Sequence, residues 1–149
     1  MKIETKYLGE VEIEENIIIE FPSGLPGFVD ETKFVLLDLP GNPIFQVLQS
    51  VRSVNVAFIV TNPYHFYRDY TFELDGNLLE ALHIRVEKEV MVLSIITLKE
   101  PFHTSTINLK APVIINQTKM FGKQYILNME DYPSKASITP TSPSTVKGE

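Results

Sequence analysis

A chain of 149 residues with 44% hydrophobic content and a net charge of −6 is composed for one globular domain, not for a disordered or membrane-embedded chain. The lack of cysteine excludes disulfides, thiolate metal sites and a thiol nucleophile, and fits a reducing compartment. The N-terminus MKIETKYLGEVEIEE is charged where a signal peptide needs an apolar core, and the longest nearly apolar run, 90–98, is about half of the ~20 residues a membrane-spanning helix needs, so the expected location is the cytoplasm.

The acids gather at the start. Residues 1–31 hold eight acids against two bases, and the remainder holds eleven of each. EVEIE (10–14) alternates as a half-buried strand does. Glu10, Glu12, Glu14 and Glu15 therefore form an acidic block. Such a block repels phosphates and steers a basic protein, or it is simply a solvated face. IIIEF (17–21) reads as the next strand and runs into FPSGLPGF (21–28). Here Gly24 and Gly27 permit positive φ, while Pro22 and Pro26 fix φ for a turn. Two readings of this turn stand: its large apolar residues staple the loop to the core, or the rigid turn presents Leu25 or Phe28 as an anchor for a partner.

Strand patterns continue at 33–39, 44–51, 54–61, 89–98, 111–116 and 124–129. In 54–61, alternation puts Val54, Val56, Phe58 and Val60 on one face and Asn55, Ala57, Ile59 and Thr61 on the other. Asn55 is either a polar contact point or just the beginning of the strand. Helix is scarce: a single turn at 63–67 capped by Asn62, and a short helix within 76–84. Many short strands with turn signals between them argue for an antiparallel sandwich or barrel with one or two short helical turns. The expected domain is 1–132, and the Pro/Ser/Thr-rich stretch 133–149 is expected to be a mobile tail.

No catalytic, metal-binding or cofactor-binding motif is present. His65, His83 and His103 have no metal-site spacing, and no P-loop, GxSxG or GxGxxG occurs. Asp69 and Glu73 flank Tyr70 and are read as the polar face of a strand rather than an acid–base pair. YHFYRDYTF (64–72) is read as an aromatic corner covering one end of the core. Few bases lie near it, so direct nucleic-acid binding is disfavoured. A single-stranded RNA-binding β-barrel and a small-molecule-binding β-barrel remain as alternatives.

FPSGLPGF, KFVLLDL, PIFQVLQSV, VNVAFIVTNPYHFYRDY and TINLKAPVIINQTKMFGKQYILN follow one another over about residues 1–132. Together they resemble the flagellar assembly factor family, FliW. The resemblance implies a mainly β, small antiparallel β-barrel-like domain. It also implies a cytoplasmic, non-enzymatic regulator that binds flagellin and antagonises the translational repressor CsrA, a small RNA-binding dimer. Flagellin and CsrA would compete for it, and the free protein is expected to be a monomer. The candidate contact residues are Phe21, Leu25, Phe28, Asn55, Ile115 and Asn116, with the acidic block steering the basic repressor.

Overall fold

Residues 1–139 are described by the computed structural model, and strands dominate them. β1 (Lys2–Thr5) and β2 (Gly9–Glu12) form a separate antiparallel hairpin. The other strands are β3 (Ile19–Glu20), β4 (Lys33–Leu39), β5 (Asn42–Ser50), β6 (Ala57–Thr61), β7 (Val90–Thr97), β8 (Thr106–Ile107), β9 (Val113–Asn116), β10 (Phe121–Gln124) and β11 (Ala136–Ser137). They make one sheet in the order β11-β8-β7-β6-β5-β4-β3-β10-β9, and β9 pairs back onto β7. Strands β3 to β7, β9 and β10 thus close into a ring, a mainly β, β-barrel-like architecture. Every pairing around it is antiparallel except β3 with β10.

Alternation decides what fills the ring. Phe21, Phe34, Leu48, Val60, Leu93, Val113 and Ile115 point inward and form one cluster. A ring packed this way weighs against the small-molecule reading. The opposite parity, Val47, Ile59 and Ile96, faces outward but is also covered: Ile107, Tyr70, Leu109, Leu127, Ala136 and Ile138 pack over it. The short helix α1 (Gly76–Ala81) lays Leu78 and Leu82 on Ile114. Asp75 caps it, accepting from the Leu78 amide at 2.8 Å. The turn expected after β6 is a 3-10 helix at Pro63–His65, with the Asn62 side chain accepting from the Tyr64 amide.

Several expectations change, beginning with the strand expected at 17–21, of which only Ile19–Glu20 pairs after a 3-10 turn at Glu15–Ile17. Residues 54 and 55 belong to a turn, and the strand begins at Ala57. The strand expected at 124–129 pairs earlier, at 121–124, and only its backbone bonds continue past Gln124. The segment after Tyr132 is not a free tail up to residue 139. Ala136 and Ser137 pair with Ile107 and Thr106, and Ile138 is 2% exposed. One isoleucine plus a strand pairing outweighs a composition rich in Ser and Pro, because the outer face of β7 and β8 needs a cover. The rest of the expected tail, 140–149, lies outside the described residues.

Candidate functional site

The 21–28 turn buries two of its large apolar residues and leaves a third exposed. Phe21 is fully buried and meets Phe34 edge-on, ring centroids 5.3 Å apart. A Cβ on Gly122 would lie 2.5 Å from the Phe21 ring, so the strand passing beneath that ring must be glycine there. Leu25 is 1% exposed. Between it and Phe28 the backbone closes a tight hairpin: the Phe28 amide donates to the Leu25 carbonyl at 2.7 Å, with Pro26 and Gly27 (φ +84°) in the middle. Proline followed by a positive-φ glycine is the sequence a type II turn demands. Gly24 has φ +65°, and a Cβ there would sit 2.6 Å from the Phe28 carbonyl oxygen and the Val29 Cα. Phe21 and Leu25 are the staple, and they push Phe28 and Val29 outward, 39% and 66% exposed.

The 50–56 loop stands beside this turn. Phe28 packs edge-on against Phe58, with centroids 5.6 Å apart. The Glu31 carboxylate joins the two loops by accepting from Ser50 Oγ at 2.6 Å and Ser53 Oγ at 2.7 Å. These two bonds, with a smaller contribution from Arg52, hold the Glu31 carboxyl below its ordinary range. Ser50 Oγ in turn accepts from the amides of Arg52 and Ser53. The result is a braced crest whose exposed residues include Phe28, Val29, Val54 and Asn55.

Of the six candidate contact residues, the structure brings the loops of Phe28 and Asn55 together at the surface. Phe21, Leu25, Ile115 and Asn116 are buried and cannot touch a partner directly. Ile115 is part of the ring's interior. Asn116 is spent on the fold: its amide nitrogen donates to the carbonyls of Leu82 and His83, and its oxygen accepts from the amides of Thr118 and Lys119. An Asn at a strand end reads as a surface amide in sequence, but a buried amide must be satisfied, and this one is.

Gln49, Glu31 and Val29 belong to this site and were not singled out from sequence. Gln49 is fully buried. Its oxygen accepts from the Lys6 amide at 3.0 Å, and its nitrogen donates to the carbonyls of Ser50, Ser53 and Val54. One side chain therefore ties the N-terminal hairpin to the crest loop. The available signal was an amide inside the apolar run IFQVLQSV, which is tolerated only with partners.

Glu10, Glu12, Glu14 and Glu15 are all exposed. Glu10 stands directly opposite Glu4, a like-charge pair across the hairpin. Glu12 faces Lys2 and pairs with the N-terminal amine at 2.9 Å. The hairpin is held by Ile3 and Ile13, which pack on Val35. The aromatic corner is structural: Tyr70 is 3% exposed, donates to the Leu109 carbonyl at 2.6 Å, and meets Phe72 and Tyr132. Burial, reinforced by Tyr64 and Tyr132, pushes the Tyr70 hydroxyl far above its usual pKa. Among the described residues no three His, Asp or Glu side chains converge on a metal position, and no helix is long and apolar enough to cross a membrane.

Comparison with known proteins accords with this architecture. The family model described as FliW protein matches residues 2–138. The flagellar assembly factor FliW of Oceanobacillus iheyensis is 53% identical over 149 residues, covering all of both chains. That of Bacillus subtilis is 46% identical over 138 residues, 93% of this chain and 96% of its own. A crystal structure of the flagellar assembly factor FliW superposes with a TM-score of 0.90 at 41% identity, over 94% of this chain and 98% of that one. The chain belongs to the FliW family of flagellar assembly factors.

Proposed function

We propose that this chain is a cytoplasmic, non-enzymatic partner switch that binds flagellin and antagonises the translational repressor CsrA. The observation that carries the reading is the braced crest, where Phe28 and Asn55 stand on neighbouring loops locked together through Glu31. A surface fixed before binding loses little entropy on association, which suits a factor that must release one partner for another. Flagellin's terminal segments, as amphipathic helices, would set an apolar face against Phe28, Val29 and Val54. The acidic β1–β2 hairpin would steer a basic repressor and raise its association rate in a salt-sensitive way. Phe21, Leu25, Ile115 and Asn116 serve from beneath, as supports of the surface.

Calorimetric titration tests this. The purified chain is titrated with flagellin and with CsrA from the same organism, then with each in the presence of the other. Binding to both with mutual exclusion is expected, with Phe28→Ala weakening flagellin binding. Binding to neither would end the proposal, and tight binding to a single-stranded RNA instead would favour the RNA-binding reading.

A further inference from the structure

Residues 70–74 have a strand's pattern without a strand's partner. Tyr70 is buried, Thr71 exposed, Phe72 half-buried, Glu73 exposed and Leu74 half-buried. Extended backbone produces that alternation. Yet among the described residues no backbone–backbone hydrogen bond reaches 71–74, and the Thr71 amide is taken by the Tyr132 hydroxyl at 3.0 Å. Facing it is the continuation of β10. There the amides of Tyr125 and Leu127 turn away and donate to the carbonyls of Pro112 and Lys110, each at 2.8 Å. A groove of about 480 Å³ separates the two segments, with Phe72, Tyr125, Leu127 and Met129 among its walls.

The charge along the two segments that wall this groove is one-sided. Asp69, Glu73 and Asp75 lie on one segment and Glu130 and Asp131 on the other, and neither 69–75 nor 125–132 contains Lys or Arg. This is a second acidic locus, hidden in the sequence because residues 32–149 are neutral in sum. Asp75 is partly engaged, since its carboxylate accepts from the Tyr125 hydroxyl at 3.1 Å. Glu73, Glu130 and Asp131 are exposed.

We propose that this groove takes an extended peptide segment of a partner protein, with apolar residues alternating with Lys or Arg, which adds a strand along residues 71–74. Backbone groups of 72–74 that have no partner among the described residues supply the main-chain bonds, Phe72, Leu127 and Met129 receive the apolar side chains, and the rim receives the cations. A phosphate backbone would be repelled. The chain's own residues 140–149 match poorly: Lys147 is offset by Glu149, and Pro140 and Pro143 lack the amide a strand donates. The site shares no residue with the crest or the acidic hairpin, so it stands or fails apart from the partner switch.

The test is an NMR titration of the ¹⁵N-labelled full chain with a seven-residue peptide alternating Lys and Val. Amide shifts confined to 71–74 and 125–129 are expected, with no response to the Glu/Val counterpart. N-methylating alternate amides of the peptide should weaken binding at least about tenfold, the scale of two lost hydrogen bonds. Glu73→Lys, on an exposed side chain, should weaken it further as salt is lowered. Lack of binding, shifts on the β1–β2 hairpin instead, or equal affinity after N-methylation would overturn the proposal. So would a chain ending at Thr139 whose 71–74 amides move without peptide, since the groove would then belong to the chain's own terminus.

Discussion

The 21–28 turn and the β1–β2 hairpin both face solvent, but they are fastened differently. The turn drives Phe21 and Leu25 into the ring, and Phe28 packs edge-on against Phe58 at the surface. The hairpin touches the body through Ile3 and Ile13 and through one amide bond from Lys6 to Gln49. A two-stranded hairpin has little stability of its own, so those few contacts hold it. The difference matches what each surface must do. An apolar contact needs geometry fixed to within a side chain's width. A field needs only that charge lie within about a Debye length, roughly 8 Å at physiological salt, so a lightly held support suffices.

The comparison breaks most sharply at Phe21. Phe21→Ala should cost about 4 kcal/mol, the scale of emptying an aromatic site in a close-packed core, and should lower the denaturant midpoint markedly. Gly24→Ala should cost about 2 kcal/mol, because alanine resists the positive φ and its Cβ meets the Phe28 and Val29 backbone. Its diagnostic effect is local: the Phe28 and Val29 amides should shift while those of β1 and β2 do not. Glu31→Gln should have a smaller, pH-dependent effect. The native carboxyl is held below its ordinary pKa, so its contribution is complete above the ordinary carboxylate range and is lost as pH falls through the lowered value. The wild-type crest should therefore loosen at acid pH, read as lower protection of the Arg52 and Ser53 amides relative to their intrinsic exchange rates at each pH, and the variant should show less of that dependence. Glu10→Lys should be the mildest. It replaces a like-charge pair opposite Glu4 by an attractive one, raising stability by a few tenths of a kcal/mol. It should nonetheless slow association with a basic partner in stopped flow. A stability loss there would mean the hairpin is more than a carrier of charge.

The strand content was legible because period-two alternation survives wherever one face meets a core. Phe58 and Val60 were placed on one face and Ala57 and Ile59 on the other, and the ring separates them in that way. The shortest strands were not legible, although the short helical turns at 63–65 and 76–81 were. β8 and β11 have two residues each, too few for any period, and exist because an outer apolar face needed covering. The site divides along the same line. The turn geometry of 21–28 follows from its Pro and Gly positions, and the exposure of Phe28 agrees with one of its two readings. The burial of Asn116 and Gln49 could not be read, because an amide's fate depends on which carbonyls and amides fold around it. For these two, the partners come from residues as distant as Leu82 and Lys6.

The ring has one parallel contact, and it lies where the chain's ends of the circuit meet. β3 joins β10 through Phe121 opposite Glu20, with the Glu20 amide donating to the Met120 carbonyl at 2.9 Å. Around the rest of the circuit each strand pairs with a near neighbour in sequence. Closure therefore demands the longest loop in the domain, the entropically costliest step of its folding, and should come late. During synthesis β3 waits with an open edge until residue 121 has emerged. An open edge is a template for wrong pairing, and two residues are too short to offer much of one. The brevity of β3, which looks like a weakness in the finished ring, protects the chain while the ring is still unmade.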